Sequence, residues 1–375
     1  MEVDPNKASI FAFAAVPEGD AQGIVHRKGD PKAALEKLDL YCGNFAHVIG
    51  HNILRHDLPH LMAVSPRFAQ LAEGPIDTLW LNPLAFPRNP YHHLVKHYRD
   101  GRLQSGHVND PVFDARLVFE VLRNQIDAFV SLNTSSPETM MAYHWLCCRG
   151  PGSEGFDRLF SYMRGASIPT EAQAHAAIRA LLKDAACSAQ VETLLGQLGD
   201  TGMGWPMAYA LAWISVAGGD SVMPPWVRAQ FRDAARLVKD LRDRNCRDPH
   251  CFYCAEYNDP ARALDRWFGF PSFRPEPVDE DGRPLQEKIV AAAMDGDNLL
   301  GILPTGTGKS ICYQIPALSR FDKTGALTVV ISPLVALMAD QVQGLVRAGI
   351  SSAVTINVLL SLPERQDALD KVRLG

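Results

Sequence analysis

The sequence has 375 residues, of which 47% are hydrophobic and 21% charged, so it can bury more than one core, and two or three domains are expected. Its formal net charge of −5 excludes a globally basic, histone-like nucleic-acid binder, so any nucleic-acid contact must rest on local patches. No apolar run is long enough to span a bilayer, the N-terminus lacks the pattern of a secretory signal, and the eight cysteines suit thiols or metal ligands in a reducing cytoplasm.

The first predicted elements form an α/β domain over residues 1–125. Apolar runs predict buried strands at residues 10–14 and 48–49. Amphipathic patterns predict helices at residues 33–41 and 110–122. Two further segments contain candidate catalytic aspartates. They are G-H-N-I-L-R-H-D-L-P-H-L, which contains Asp57, and N-D-P-V-F-D-A-R, which contains Asp114.

Together these segments resemble a DnaQ-like 3′–5′ exonuclease domain of the DEDDh class, with an RNase H-like fold. The resemblance implies that Asp57 and Asp114 are two of four carboxylates that hold a pair of divalent metals, and that Glu2 fills a third position. The aspartate partner of Glu2 would precede Met1, and Asn109 stands where the class has its general-base histidine. Because asparagine cannot accept a proton near neutral pH, we expect an exonuclease-like domain without nuclease activity, and an active metal-dependent nuclease is the alternative.

The middle of the chain, residues 126–245, predicts a helical linker domain. Helical patterns punctuated by glycines and prolines run over residues 171–183, 188–198, 205–216 and 226–244. Basic residues recur along the last of these helices, which favours either a contact with DNA phosphates or a solvated face. No motif in this region indicates chemistry.

A cysteine-rich segment follows over residues 246–270. Cys246, Cys251 and Cys254 lie close together in the sequence, and three such thiolates can bind a tetrahedral Zn²⁺ ion as a possible zinc knuckle. The fourth ligand is open between His250 and a distant cysteine. The cysteines considered are Cys147, Cys148 and Cys187. The alternative is a set of buried thiols that pack under Trp267.

The segment L-P-T-G-T-G-K-S, which ends at Ser310, predicts a phosphate-binding loop between a buried strand at residues 299–303 and a helix. Glycines let the backbone wrap an anion, and amides at the helix start point at it. Lys309 supplies a charge for the β- and γ-phosphates, and the Ser310 hydroxyl suits the accompanying Mg²⁺. The residues expected at the nucleotide are Pro304, Thr305, Gly306, Thr307, Gly308, Lys309 and Ser310.

Around this loop stand F-G-F-P-S-F-R, ending at Arg274, then Gln286, C-Y-Q-I-P-A-L and I-S-P-L-V-A-L-M-A-D-Q. These motifs resemble the start of the motor of a RecQ-type superfamily 2 DNA helicase, and imply a partial RecA-like P-loop NTPase lobe over residues 271–375. The resemblance places Gln286 on the adenine with Arg274 beside it, although about a dozen residues separate the two, more than the family pattern has. It places Ser332, Pro333 and Gln341 along a single strand of nucleic acid.

The function implied by the resemblance is ATP-dependent 3′–5′ unwinding of DNA, with ATP and Mg²⁺ as cofactors. The partner would be single-stranded DNA or a duplex with a single-stranded end, and no membrane. The sequence contains no D-E-A-H segment, and hydrolysis needs a carboxylate and a cation from a facing lobe, so we expect this polypeptide alone to hydrolyse ATP hardly at all. The alternatives are a catalytically silent nucleotide- or DNA-binding module and a metal-dependent nuclease.

Overall fold

A computed structural model describes residues 1–4, 9–19, 22–89, 92, 94, 98–99, 102–103, 110–199, 201–216 and 222–374. The chain divides into two compact units. The first comprises Met1–Leu181 and Leu198–Ala212, and the second comprises Leu182–Gln197 and Trp213–Gly375. The predicted boundary at residue 125 falls inside a helix of the first unit, and the predicted domain limits stay predictions.

The first unit begins with a three-stranded antiparallel sheet. Its strands are β1 (Glu2–Asp4), β2 (Ser9–Ala15) and β3 (Ile24–His26), in the order β1-β2-β3. Ile10 and Phe13 of β2 are buried, and they share a core with Leu35 and Leu38 of helix α1 (Lys32–Cys42). The strand predicted at residues 10–14 and the helix predicted at 33–41 are therefore confirmed.

A second, parallel pair of strands follows. β4 (Ile49–Gly50) pairs with β5 (Ile76–Asp77), and between them lie a π-helical turn, helix α2 and a 3-10 helix. Their bounds are Ile53–Asp57, Leu58–Val64 and Pro66–Ala72. Among the described residues of this unit the strands form separate sheets, including the short antiparallel pair β6 (Tyr98–Arg99) and β7 (Arg102–Leu103), so the RNase H-like assignment stays a prediction.

The remaining regular elements of the described chain are helices. In order they are α3 (Thr78–Ala85), α4 (Pro111–Ser135), α5 (Pro137–Cys147), α6 (Glu154–Arg164), α7 (Glu171–Leu182), α8 (Ser188–Leu195), α9 (Gly204–Ser215), α10 (Pro225–Gln230), α11 (Asp233–Arg242), α12 (Phe252–Tyr257), α13 (Pro260–Phe268), α14 (Leu285–Asp295), α15 (Ile311–Thr324), α16 (Val335–Arg347) and α17 (Leu362–Leu374), with a 3-10 turn at Thr201–Met203. Within the described ranges, none of these helices has both the length and the apolar character needed to cross a membrane.

Two sequence predictions in the second unit are wrong. The helix predicted over residues 226–244 is interrupted between α10 and α11, because Phe231 leaves the helical conformation at φ −120° and ψ 61°. The buried strand predicted at residues 299–303 is irregular, with Leu300 87% and Ile302 79% exposed. An apolar strand is buried only when neighbouring strands flank it, and the described residues 222–374 contain no β-strand.

Asp77 joins three elements of the first unit. Its side chain is fully buried, and Oδ1 accepts hydrogen bonds from the amides of Asn52 and Leu79, both at 2.9 Å, while Oδ2 accepts one from the Leu54 amide at 3.1 Å. The carboxylate therefore connects β5 to the start of α3 and to the turn after β4. Burial raises the pKa of Asp77 to about 6, against the opposing effect of these amides.

We expect Asp77→Asn to destabilise the first unit by about 1–3 kcal/mol, because the new NH₂ group faces a backbone donor that the carboxylate had satisfied. Because the pKa of Asp77 is raised in the folded state, the native protein binds more protons than the unfolded chain between about pH 4 and pH 6. The contribution of Asp77 to the free energy of unfolding is therefore lost as pH rises through that window. The stability difference between the wild type and the variant should therefore narrow as pH rises. Urea denaturation followed by circular dichroism measures it, with Glu36→Gln on the exposed side of α1 as control, and a gap that widens would contradict the raised pKa.

Candidate nucleotide-binding site

The predicted phosphate loop is a turn that leads directly into α15. Gly306 and Gly308 adopt φ angles of +83° and +78°, a left-handed conformation that residues with a Cβ rarely take. A Cβ added to Gly308 would lie 2.8 Å from Nε2 of Gln286. The left-handed backbone therefore favours glycine at position 306. At position 308 both the left-handed backbone and the close approach of Gln286 favour it.

Unused donors line the end of this loop. Within the described chain, the backbone amides of Gly308, Lys309 and Ser310 donate no hydrogen bond. These three consecutive amides immediately precede α15, whose N-terminal end carries partial positive charge. The exposed Lys309 folds back so that Nζ donates to the carbonyl of Leu303 at 3.0 Å. The loop therefore offers an ammonium and several amides to an anion. Among the described residues, the anion competes with the Leu303 carbonyl for Lys309.

Gln286 holds the loop from behind. This residue lies near the start of α14 and is 4% exposed. Its Nε2 donates to the carbonyls of Gly308 at 2.9 Å and Thr307 at 3.3 Å, and its Oε1 accepts from the backbone amide of Arg274 at 3.1 Å. Arg274 adds a bond from Nη1 to the Gly306 carbonyl at 2.7 Å. The structure thus brings Arg274 and Gln286 to the loop, and Gln286 must exchange some of these bonds to contact a base.

The long spacing between Arg274 and Gln286 is taken up by a closed loop. Oδ1 of Asp279 accepts from the Arg283 amide at 2.8 Å, and Oδ2 lies 2.9 Å from Nζ of Lys288 on α14. The hydrogen bond from Lys288, followed by the Arg283 amide, lowers the pKa of Asp279 to about 2. The extra residues fold upon themselves, so that Arg274 still reaches Gln286.

The close approach of Gly308 to Gln286 gives a stability prediction. We expect Gly308→Ala to cost about 1–2 kcal/mol for the left-handed backbone and about 1–2 kcal/mol more for displaced hydrogen bonds of Gln286. Gly349→Ala is a matched control, because Gly349 has a φ of +81° with open space around its Cβ position, so it should show only the backbone effect. Urea denaturation of the two variants measures the difference, and equal losses would contradict the packing role of Gln286.

The segment predicted to follow DNA lies at the start of α16. Ser332 is half-buried and Pro333 is exposed, and both precede this helix. Oε1 of Gln341, in the middle of α16, accepts from the Tyr313 hydroxyl at 2.9 Å and from Nε2 of Gln314 at 2.8 Å. Gln341 therefore joins α16 to α15, and Ser332 and Pro333 lie at an accessible helix start.

The carboxylates predicted for a nuclease lie on three elements of the first unit. Glu2 is on β1, Asp57 ends the π-helical turn, and Asp114 is in the first turn of α4. Asp57 Oδ1 pairs with the amino group of Met1 at 3.2 Å. The described residues do not include a group in which ligating atoms of Glu2, Asp57 and Asp114 all lie within 4.8 Å of one another. Asn109 lies outside the described residues.

The three predicted cysteine ligands come together in the second unit. Cys246, Cys251 and Cys254 are joined there by Cys187, with all four sulfurs within 4.8 Å of one another. His250 is exposed and is not part of the group. The packing alternative is wrong in its partner, because Trp267 belongs to a different core, whereas the thiols pack with two tyrosines. Those are Tyr253 and Tyr257.

Sequence reasoning missed two buried polar groups. In the first unit, both ring nitrogens of His144 are engaged, Nε2 by Asp157 and Nδ1 by Arg164, each at 2.7 Å, so this histidine is a hydrogen-bonded core residue. In the second unit, Lys323 on α15 is 1% exposed, and its Nζ lies 2.7 Å from Oδ1 of Asp243. No local sequence pattern distinguishes either residue from a polar residue exposed to solvent.

Comparison with known proteins finds a similarity in the part of the chain that contains the loop. Residues 283–374 match the family DEAD/DEAH box helicase. Over part of its length the chain is similar to ATP-dependent DNA helicases, among them RecQ proteins.

Individual relatives match the chain over stretches of about 90–110 residues. The chain is 43% identical over 91 residues to "ATP-dependent DNA helicase Q4" of Homo sapiens, covering 24% of this chain and 7% of that protein. It is 43% identical over 108 residues to "ATP-dependent DNA helicase RecQ" of Haemophilus influenzae, covering 29% and 15%, and 43% identical over 112 residues to the protein of the same name from Bacillus subtilis, covering 30% and 17%. The chain thus spans less than a fifth of these relatives' length. No solved structure matches the chain significantly.

Proposed function

We propose that this chain carries the ATP-binding loop of a RecQ-like DNA helicase motor, whose complete form unwinds DNA in the 3′–5′ direction at the expense of ATP. The proposal rests on three consecutive backbone amides, from Gly308 to Ser310, that donate no hydrogen bond within the described chain. They lie at the start of α15, together with the ammonium of Lys309. Such a row suits an anion such as a triphosphate.

Each loop residue has a distinct part in the proposal. Lys309 exchanges the Leu303 carbonyl for the β- and γ-phosphates, and the Ser310 hydroxyl contributes a ligand to the Mg²⁺ that accompanies ATP. Gln286 and Arg274 hold the loop carbonyls so that the amides stay turned outward, and the base is received beside them. Mg²⁺ supplies charge neutralisation of the phosphates when it is bound.

The DNA strand is proposed to pass the start of α16. Ser332 and Pro333 are accessible there, and a helix start offers amides to phosphates. Because Gln341 already bonds to Tyr313 and Gln314 of α15, its proposed part is to connect the DNA segment with the helix that follows the phosphate loop.

We also propose that residues 1–125 form an exonuclease-like domain that does not cleave DNA. The motifs around Asp57 and Asp114 support the likeness, and the lack of a close group with Glu2 among the described residues supports the missing activity. Release of nucleotides from a 3′ end in Mn²⁺, abolished by Asp114→Ala, would overturn this part of the proposal.

Calorimetric titration of the 375-residue protein with a non-hydrolysable ATP analogue tests the nucleotide proposal. We expect saturable binding that weakens when Mg²⁺ is removed, because both the loop and Ser310 act on the metal-bound triphosphate. Inorganic phosphate at the same concentration is the control, since it lacks the chain of phosphates that spans the loop. A protein that binds the analogue no better than phosphate would refute the proposal.

A further inference from the structure

The four cysteines of the second unit come from two separate stretches of the chain. Cys187 immediately precedes α8, while Cys246, Cys251 and Cys254 lie in and before α12. Backbone contacts hold the two stretches together, because the amide of Cys187 donates to the carbonyl of Leu241 in α11 at 2.9 Å. The fold therefore builds this group by tertiary contact.

The spacing of the sulfurs suits a metal better than a disulfide. A tetrahedral site with Zn–S bonds of about 2.3 Å places its sulfurs about 3.8 Å apart. The sulfurs of Cys246 and Cys254 are 3.7 Å apart, and all four lie within 4.8 Å of one another. A disulfide needs an S–S distance of about 2.05 Å, and all of these cysteines are free thiols.

We propose that Cys187, Cys246, Cys251 and Cys254 bind one structural Zn²⁺ ion as four thiolates. On binding, four S–H protons pass to solvent and four Zn–S bonds form, with no change in oxidation state. With four protein ligands the coordination shell is closed, so the ion stabilises the fold and has no open position for a substrate.

The surroundings of the sulfurs fit this assignment. Nδ2 of Asn258 donates to the Cys254 sulfur and the Ser188 hydroxyl donates to the Cys251 sulfur, each at 3.5 Å. Donors of this kind orient and stabilise metal-bound thiolates. Arg247, directly after Cys246, has a φ of +58°, an uncommon conformation for a residue with a side chain and one that tends to occur where a ligand is clamped.

The site also supports the helix that follows the phosphate loop. Oδ1 of Asn258 accepts from Nζ of Lys323 on α15 at 2.8 Å, which fixes the orientation of the amide that faces Cys254. A metal at the cysteines would therefore hold α8, α12 and, through Asn258, the back of α15 in one arrangement. This inference does not depend on nucleotide binding.

The test uses the full 375-residue protein, purified under reducing conditions without oxygen. We expect elemental analysis to find one Zn²⁺ per chain, and Co²⁺ exchanged into the protein to give the visible absorption of tetrahedral thiolate coordination. Cys187→Ser should weaken Co²⁺ binding by about 100-fold or more and change that spectrum, since even loss of an outer-shell partner costs about 10–100-fold. Cys312→Ser, outside the group and partly exposed, should leave both unchanged.

If the Cys187→Ser variant does not fold, a second measurement on the wild-type protein tests the proposal. In the wild-type protein, removal of zinc by a chelator should make the four proposed ligands reactive toward an alkylating reagent together, as mapped by mass spectrometry, while Cys147 of the first unit stays protected. Wild-type protein without zinc or tetrahedral Co²⁺ absorption would overturn the proposal. So would full metal content in Cys187→Ser, or cysteine reactivity that does not respond to the chelator.

Discussion

Lys309→Ala should weaken binding of a non-hydrolysable ATP analogue by about 10- to 100-fold, because hydrogen bonds to charged groups contribute about 1.5–3 kcal/mol each. Lys309 is exposed, and in the described residues its ammonium contacts only the Leu303 carbonyl, so the fold does not depend on it. The loss should appear in the dissociation constant measured by calorimetry, with little change in the unfolding transition.

Lys371→Ala is the matched control for this prediction. Lys371 is an exposed lysine of α17, and its ammonium pairs with Asp367 at 2.8 Å, a surface ion pair of small energetic weight. The same charge is removed from the chain in both variants, so a general electrostatic effect would weaken binding equally. Unchanged affinity in Lys309→Ala, or an equal loss in Lys371→Ala, would remove Lys309 from the proposed site.

The loop could be predicted from the sequence because its determinants are local. Gly306, Gly308, Lys309 and Ser310 lie within one turn, and positive φ angles at the glycines follow from the missing Cβ alone. The proximity of Arg274 to Gln286 was also predicted, although it depends on a longer loop closed by Asp279. That contact follows from the family resemblance, because the motif that carries the resemblance contains both residues.

The sequence alone does not predict the features that depend on tertiary structure. Cys187 joins the other cysteines only because α8 is brought beside α11, so the sequence left it as one option among several. The strand predicted at residues 299–303 is wrong for the opposite reason, because an apolar run predicts a buried strand and the described residues 222–374 contain no other strand that could cover it. Hydrophobic periodicity indicates which secondary structure a segment favours, and the elements that pack against the segment determine whether that structure forms.

The sequence also does not indicate the buried ion pair between Asp243 and Lys323, which lies in the last turn of the helix that follows the phosphate loop. The Lys323 side chain is 2% exposed and that of Asp243 is 5% exposed, with Nζ 2.7 Å from Oδ1. Arg320 of α15 also approaches Asp243, at 3.5 Å. The pair fixes α15 against the end of α11, and so it positions the helix whose first residues follow the loop.

Asp243→Ala should destabilise the second unit by about 3–5 kcal/mol, because it leaves the ammonium of Lys323 buried without its carboxylate. Asp240→Ala is the matched control, since Asp240 of the same helix pairs at the surface with Arg236 and Arg244 and should cost about 0–1 kcal/mol. Urea denaturation measures both. Removing both charges, in Asp243→Ala with Lys323→Met, should restore much of the loss, and a double variant no more stable than Asp243→Ala would contradict the pairing.

The pH dependence of the same variant gives an independent test. Burial lowers the pKa of Lys323, while Asp243 raises it and the nearby charges of Arg320 and Arg242 lower it. Because the unfolded chain then binds more protons than the native state, stability gains from this group as pH rises from the lowered pKa toward the ordinary value of about 10.4. Without Asp243 the pKa falls further, so in Asp243→Ala this gain should begin at a lower pH than in the wild type. Urea denaturation at a series of alkaline pH values locates the onset, and an unchanged onset would mean that Asp243 does not hold the proton on Lys323.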